Sequence, residues 1–239
     1  MRRLLIPLLL VSLSGAAVAA PAGQMFQLAG AVGVVRDGRL LPAQAGGPLK
    51  VGDVLHLDAS EAAALRMDDE ELISLAESTR FAIVEHRFDP AASSGNRARY
   101  RLESGSARLI SGRIARQQPG SVILDSDYGQ VSTVGTDYTA GICAACTPAG
   151  LYVSVHSGSV KVTTATGSIV ASAGQVVFVA AGAAPTMVSA APPGLLLPPD
   201  PAAMMLSGVA EIGPVRIEVT GSVCDPAASP SQPDCSSGR

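Results

Sequence analysis

The sequence predicts an all-β fold of short antiparallel strands arranged as a sandwich or roll, with a Pro-rich C-terminal tail, and three observations carry that expectation. Apolar residues recur at every second position, as in Leu151, Val153 and Val155 against Tyr152, Ser154 and His156. Side chains of a strand alternate between its two faces, so this period marks strands with one buried face. Glycines at 105, 112, 120, 129, 158, 167, 174 and 182 punctuate the runs, mostly seven to nine residues apart. That spacing leaves strands of about five residues joined by tight turns. The third observation is composition: 239 residues, 47% hydrophobic and 15% charged, are the reverse of a disordered chain and suffice to fill a core without metal. With 17 basic against 20 acidic residues and no Trp, the chain lacks the positive excess and stacking platforms of a nucleic-acid binder driven by bulk charge.

The N-terminus reads differently from the rest. Arg2 and Arg3 precede an apolar run from Leu4 to Leu13, and Ala17-Val18-Ala19 supplies small residues for cleavage. This is the pattern of a secretory signal peptide, and Pro21 places the cut before Ala20. The run is too short for a membrane span, and no later stretch is long and apolar enough for one. The expected location is periplasmic or secreted, with a soluble mature protein. Loss of Arg2 and Arg3 leaves 15 basic against the 20 acidic residues.

Element by element, Leu151 to Val155, a turn at Ser157-Gly158, and Val160 with Val162 have the signature of a hairpin. Ala63, Leu65 and Met67 alternate with Ala64, Arg66 and Asp68. The Ala- and Glu-rich stretch Ser60 to Leu75 also suits a helix, but its alternation favours two strands with a turn at Asp68-Asp69-Glu70. From Ala183 to Pro201, six prolines deny the backbone donors that a ladder needs, so this is a stiff linker or a surface-hugging extended segment. The expected organisation is a signal peptide at 1–19, an N-terminal segment at 20–29 and a β domain at 30–182. An Ala/Pro-rich linker at 183–201 leads to a tail at 202–239 with one strand, Ile212 to Val219, and a Cys-tied loop.

Several fragments carry a family resemblance. Gly30 to Gly38, Val51-Gly52-Asp53-Val54-Leu55, Ala63 to Asp68 and Leu72 to Leu75 resemble the opening of a FecR-type domain. Leu102-Glu103-Ser104-Gly105-Ser106-Ala107, Val131 to Tyr138, His156 to Val162 and Ala173-Gly174-Gln175 resemble its later strands and turns. The resemblance spans roughly Gly30 to Val179. It implies a β domain that works outside the cytoplasm. The best-known members are transmembrane regulators whose cytoplasmic helical part holds a sigma factor while the β domain receives a signal from an outer-membrane receptor. Here a signal peptide leads directly to the β domain, so neither sigma-factor contact nor iron sensing is carried over. Two departures stand out: Asp68-Asp69-Glu70 replaces the usual Asp-Gly-Ser turn, and Ala140 to Gly150 is a cysteine-bearing insertion at a hairpin tip.

Export would place Cys143, Cys146, Cys224 and Cys235 where disulfides persist. Three connectivities are open, and Cys143 with Cys146 and Cys224 with Cys235 closes loops without long-range threading. A zinc site is the weaker reading, because the second pair is too widely spaced.

Charge is uneven. Eight acids against Arg66 lie between Asp53 and Glu77, whereas Arg80 to Arg116 holds eight arginines against three acids. Arg97, Arg99 and Arg101 share one face of an extended strand, and with Arg108 they are the candidate ligand-binding residues for an anionic glycan or an acidic protein surface. The competing reading is a wet sheet face whose arginines pair with acids on neighbouring strands. Catalytic motifs are missing: there is no G-x-S-x-G and no H-E-x-x-H, and Asp68 to Glu71 lacks the ligand spacing of a calcium loop. No catalytic residue, metal or cofactor is expected. The predicted function is a non-catalytic exported module that binds an envelope protein or anionic polymer, in a signalling role. The alternative is a structural or assembly component anchored through the Pro-rich tail.

Overall fold

The computed structural model describes residues 21–92 and 94–204. The signal-peptide segment, the expected strand from Ile212 to Val219, and Cys224 with Cys235 lie outside the described residues.

The chain shuttles between two sheets. It enters sheet I with β1 (Gly23–Ala29), crosses to sheet II for β2 (Gly33–Arg36) and β3 (Arg39–Pro42), and returns for β4 (Pro48–Leu49). After β5 (Val54–His56) in sheet II, the hairpin β6 (Ala62–Met67) and β7 (Leu72–Leu75) lies in sheet I. Next come β8 (Arg80–Arg87) in sheet II and the long β9 (Arg97–Ile110), followed by a short helix α1 (Arg113–Gln117). Four pairs then alternate: β10 (Val122–Ser126) with β11 (Gly129–Thr133) in sheet II, β12 (Asp137–Cys143) with β13 (Gly150–Ser157) in sheet I, β14 (Ser159–Thr164) with β15 (Gly167–Ser172) in sheet II, and β16 (Val176–Val179) with β17 (Thr186–Val188) in sheet I.

Sheet I runs β4-β1-β6-β7-β9-β12-β13-β16-β17. Sheet II runs β3-β2-β5-β8-β9-β10-β11-β14-β15. All these pairings are antiparallel except β9 with β10, so the fold is all-β as predicted, with one parallel contact. Strand β9 belongs to both sheets: its first half pairs with β8 and β10, its second with β7 and β12. The change of sheet falls at Gly105, where φ is +73° and an added Cβ would lie 2.2 Å from Thr79 Oγ1. Only glycine satisfies both the conformation and the space.

The two inner faces fill one core. Leu65, Ile73, Leu75, Leu109, Tyr138 and Val153 from sheet I meet Leu55, Phe81, Ile83, Tyr100, Leu102 and Val162 from sheet II. Phe81 and Tyr100 stack with ring centroids 5.4 Å apart. The stretch from Ser60 to Leu75 is two strands and a turn, as its alternation predicts.

The expected hairpin at Ser157-Gly158 is corrected. Strand β13 pairs with β12 and β16 in sheet I, while β14 pairs with β11 and β15 in sheet II. Gly158 is therefore a crossing between sheets, with φ +74° and a Cβ position only 2.4 Å from the Gly135 carbonyl of the opposite crossing. Alternation reports which side chains point inward; it does not name the strand alongside.

The sheets also extend past residues 30 and 182, since β1 pairs with β6 and β17 with β16. The Pro-rich stretch then crosses the outer face of sheet I. Leu195 is buried beside Cys143 and Tyr152, and Gly141 leaves the room, because a Cβ there would stand 2.7 Å from Leu195 Cδ1. The Ser106 hydroxyl donates to the Leu196 carbonyl, and Ser74 Oγ donates to Pro199 O at 2.6 Å. This segment is a strap lying on the surface. Among the described residues no helix is long and apolar enough to cross a membrane.

Candidate functional site

Two charged regions are candidates. The first is the outer face of sheet II, where Ala98, Tyr100 and Leu102 point into the core and Arg97, Arg99 and Arg101 point out. Each guanidinium meets an acid: Arg97 Nε with Glu85 Oε1, Arg99 Nε with Asp125 Oδ2 at 3.0 Å, and Arg101 Nη2 with Asp127 Oδ1. Arg80 and Glu103 extend the ladder at 2.5 Å. The three arginine side chains are 40–49% exposed, so water and salt screen these pairs and each is worth about 0–1 kcal/mol. Arg108 does not join them. It lies in the sheet I half of β9, where Nε and Nη2 grip both oxygens of Asp137 at 2.9 and 2.8 Å and Nη1 reaches Asp200 of the strap at 3.4 Å. The hydrogen bonds to Asp137 raise its pKa above the ordinary guanidinium value. The four predicted binding residues thus divide three to one between opposite sheets.

The second region is the β6–β7 turn. Glu70 N–H donates to Met67 O at 3.1 Å and Met67 N–H to Glu71 O at 2.9 Å, closing a turn whose third residue, Glu70, has φ +70°. This is the three-residue hairpin that ordinarily takes glycine at its left-handed position. The turn is not a solvated acidic patch. Asp69 is 0% and Glu71 1% exposed. Asp69 Oδ1 accepts the Glu71 N–H at 3.2 Å, Oδ2 accepts the Ile114 N–H of α1 at 3.1 Å, and the Asp69 carbonyl accepts the Arg113 N–H at 2.7 Å. Gly112 permits this approach, because a Cβ there would sit 2.4 Å from Asp69 Oδ2.

Glu71 continues the inward face of β7 and accepts the Tyr100 hydroxyl at 2.6 Å. Tyr100 also lies 3.3 Å from His86 Nδ1, and His86 Nε2 contacts Asp68 Oδ1. His86 reaches the interior through a β-bulge. Phe81 and Ile83 point inward, the register against β9 slips between Ile83 and Glu85, and the extra residue moves the inward position to His86. Burial, reinforced by the Asp69 charge, pushes the Glu71 carboxyl up to about 8, against a lowering by the Tyr100 hydrogen bond. Burial likewise raises Asp69, opposed by the N–H bonds from Ile114 and Glu71, and raises Tyr100 well above the phenolic range. Asp68, Asp69 and His86 place donor atoms within 4.8 Å of one another, the one such grouping among the described residues. Both ring nitrogens and both Asp69 oxygens already face protein partners, and we assign the group no ion.

Cys143 and Cys146 form the predicted disulfide in the β12–β13 loop, with Cα atoms 5.4 Å apart. His156 Nε2 lies 2.9 Å from Thr139 Oγ1 and His56 Nε2 3.4 Å from Asp58.

Residues 53–161 match the family model described as FecR protein. The match lies within the Gly30 to Val179 stretch and begins at Asp53, the residue before β5. Crystal structures at 1.65 and 2.50 Å of a "putative anti-sigma factor" from Parabacteroides distasonis ATCC 8503 resemble part of the chain. Each is 14% identical with a TM-score of 0.42, over 52% of this chain and 53% of that chain. The chain spans about half the length of those structures. No curated protein matches it.

Proposed function

We propose that this chain, whose residues 53–161 are a FecR-type domain, is an exported, non-catalytic signalling module that docks a protein partner on the outer face of sheet II. The observation that carries the reading is the ladder of alternating charge. Arg80, Arg97, Arg99 and Arg101 are balanced by Glu103, Glu85, Asp125 and Asp127, so the face is patterned without being strongly positive. A polyanion would compete with four acids already in place. A protein surface with its own alternating charges can exchange partners with them, which gives specificity and steering more than raw affinity. Val84, outward next to the bulge and 46% exposed, is an apolar contact beside the ladder. Export rests on the signal-peptide pattern of residues 1–19. Anchoring through the Pro-rich tail is less well supported, because residues 195–200 are engaged with sheet I of their own chain.

Site-specific photo-cross-linking in native envelopes tests this. A probe at Val84 should yield one discrete adduct that disappears when Arg97, Arg99 and Arg101 are changed to Glu. A probe at Met187, exposed on the edge of sheet I, should not yield it. The same adduct from both positions, or its survival in the charge-reversed variant, would refute the assignment.

A further inference from the structure

Asp68, His86, Tyr100 and Glu71 stand in line with three contacts between them. Each contact needs one hydrogen between two heteroatoms that would otherwise face each other as acceptors. Three hydrogens complete the line in two ways that leave the exposed Asp68 as a carboxylate. In one, a neutral Glu71 donates to Tyr100, Tyr100 donates to His86 Nδ1, and Nε2–H donates to the Asp68 carboxylate. In the other, a cationic His86 donates to both Asp68 and Tyr100, and Tyr100 donates to the Glu71 carboxylate. The two forms differ only by hydrogens moved along the line, and both carry one net negative charge. Removal of one hydrogen leaves two acceptors opposed and a second negative charge in the gap between the sheets.

We propose that these four side chains form a proton-linked clasp, complete with three hydrogens and broken with two, that sets how firmly the β6–β7 turn is held against β8, β9 and the start of α1. The turn transmits the state of the line, because Asp69 within it receives the N–H groups of Glu71, Arg113 and Ile114.

The surroundings favour one shared release. From the turn, buried Asp69 adds negative charge, while exposed Glu70 meets Arg116 of α1 at 3.8 Å. From β12, the Tyr138 hydroxyl is buried with no hydrogen-bond partner among the described residues. From α1, Arg113 stacks on Phe88 with its guanidinium carbon 5.1 Å from the ring centroid. Both guanidinium groups are thus engaged at the rim. Groups coupled this tightly release protons as a set. Glu71, raised to about 8 from the usual 4.5, retains in the fold a proton that the unfolded chain has lost between those values. Stability from this source is therefore full below about 4.5, falls as pH rises, and levels off above about 8.

The test uses the full chain, with urea stability from pH 4 to 9.5 and hydrogen-exchange protection of the Ile114 amide. The parent should lose stability across that window, and protection at Ile114 should fall in one step near pH 8. In Glu71→Gln the amide donates to Tyr100 at every pH, so the step near pH 8 should vanish and the decline should shrink to the part that raised Asp69 contributes. Asp68→Asn, a change at the exposed end of the line, removes a negative charge and supplies an amide hydrogen that does not titrate, so the step near pH 8 should move down or disappear. A Glu71→Gln profile that superimposes on the parent, or an Asp68→Asn step left in place, would overturn the proposal. Should Glu71→Gln fail to fold, Asp68→Asn alone decides.

Discussion

On the outer face of sheet II, Glu85, Asp125 and Asp127 each meet an arginine at the exposed surface; in the β6–β7 turn, buried Asp69 and Glu71 meet backbone N–H groups and a phenol. The same residue types therefore do opposite work. Outside, solvent already satisfies each charge, so a pair adds little and can be exchanged for a partner's charge. Inside, removal of an acceptor strands donors that water cannot reach. The difference lies in burial, not in the number of contacts. It separates charges that hold the fold from charges free to recognise something else.

The comparison can be broken most directly at Asp69. Asp69→Ala strands the Glu71 and Ile114 N–H groups and should cost about 2–4 kcal/mol in urea denaturation, with α1 losing exchange protection first. A loss below about 1 kcal/mol would mean that the buried region is not what holds the turn. A smaller effect of opposite sign is expected one residue on. Glu70 holds φ +70°, where a Cβ is strained, so Glu70→Gly should stabilise by about 1 kcal/mol despite losing the weak contact to Arg116. Thermal denaturation checks it, and a lowered midpoint would show that Arg116 matters more than the backbone. The smallest effects belong to the ladder: Arg97→Gln, Arg99→Gln and Arg101→Gln should each change stability by less than about 0.5 kcal/mol, and less again in high salt.

Much of this was legible in the sequence, for definite reasons. Residues two apart on a strand share a face, which put Arg97, Arg99 and Arg101 together, and Asp68-Asp69-Glu70 marked its turn between two alternating runs. Gly52-Asp53, quoted for the family resemblance, forms a turn: Gly52 has φ +94° and Asp53 Oδ2 accepts the Lys50 N–H at 2.8 Å. That Asp53 also anchors Arg36 through both carboxylate oxygens, at 2.7 and 2.6 Å, was not legible, because their pairing depends on which strands adjoin. The buried line failed for a similar reason. Glu71 and Asp69 keep the inward phase of Ile73 and Leu75, but nothing local tells that α1 and Tyr100 supply their donors. His86 enters the interior only through the bulge beside Val84, and no local residue pattern announces that slip of register. Proline fixes an extended backbone without saying what it lies against, so the sequence alone does not choose between linker and surface segment for the strap.

The decisive measurement is a side-by-side urea titration of Asp69→Ala and the combined Arg97→Gln, Arg99→Gln, Arg101→Gln variant at low and high salt. The buried change should cost a few kcal/mol at either salt concentration, while the surface variant stays within about 1 kcal/mol of the parent and converges on it as salt rises. Equal losses, or a surface loss that exceeds the buried one and persists in high salt, would contradict the division between the two regions.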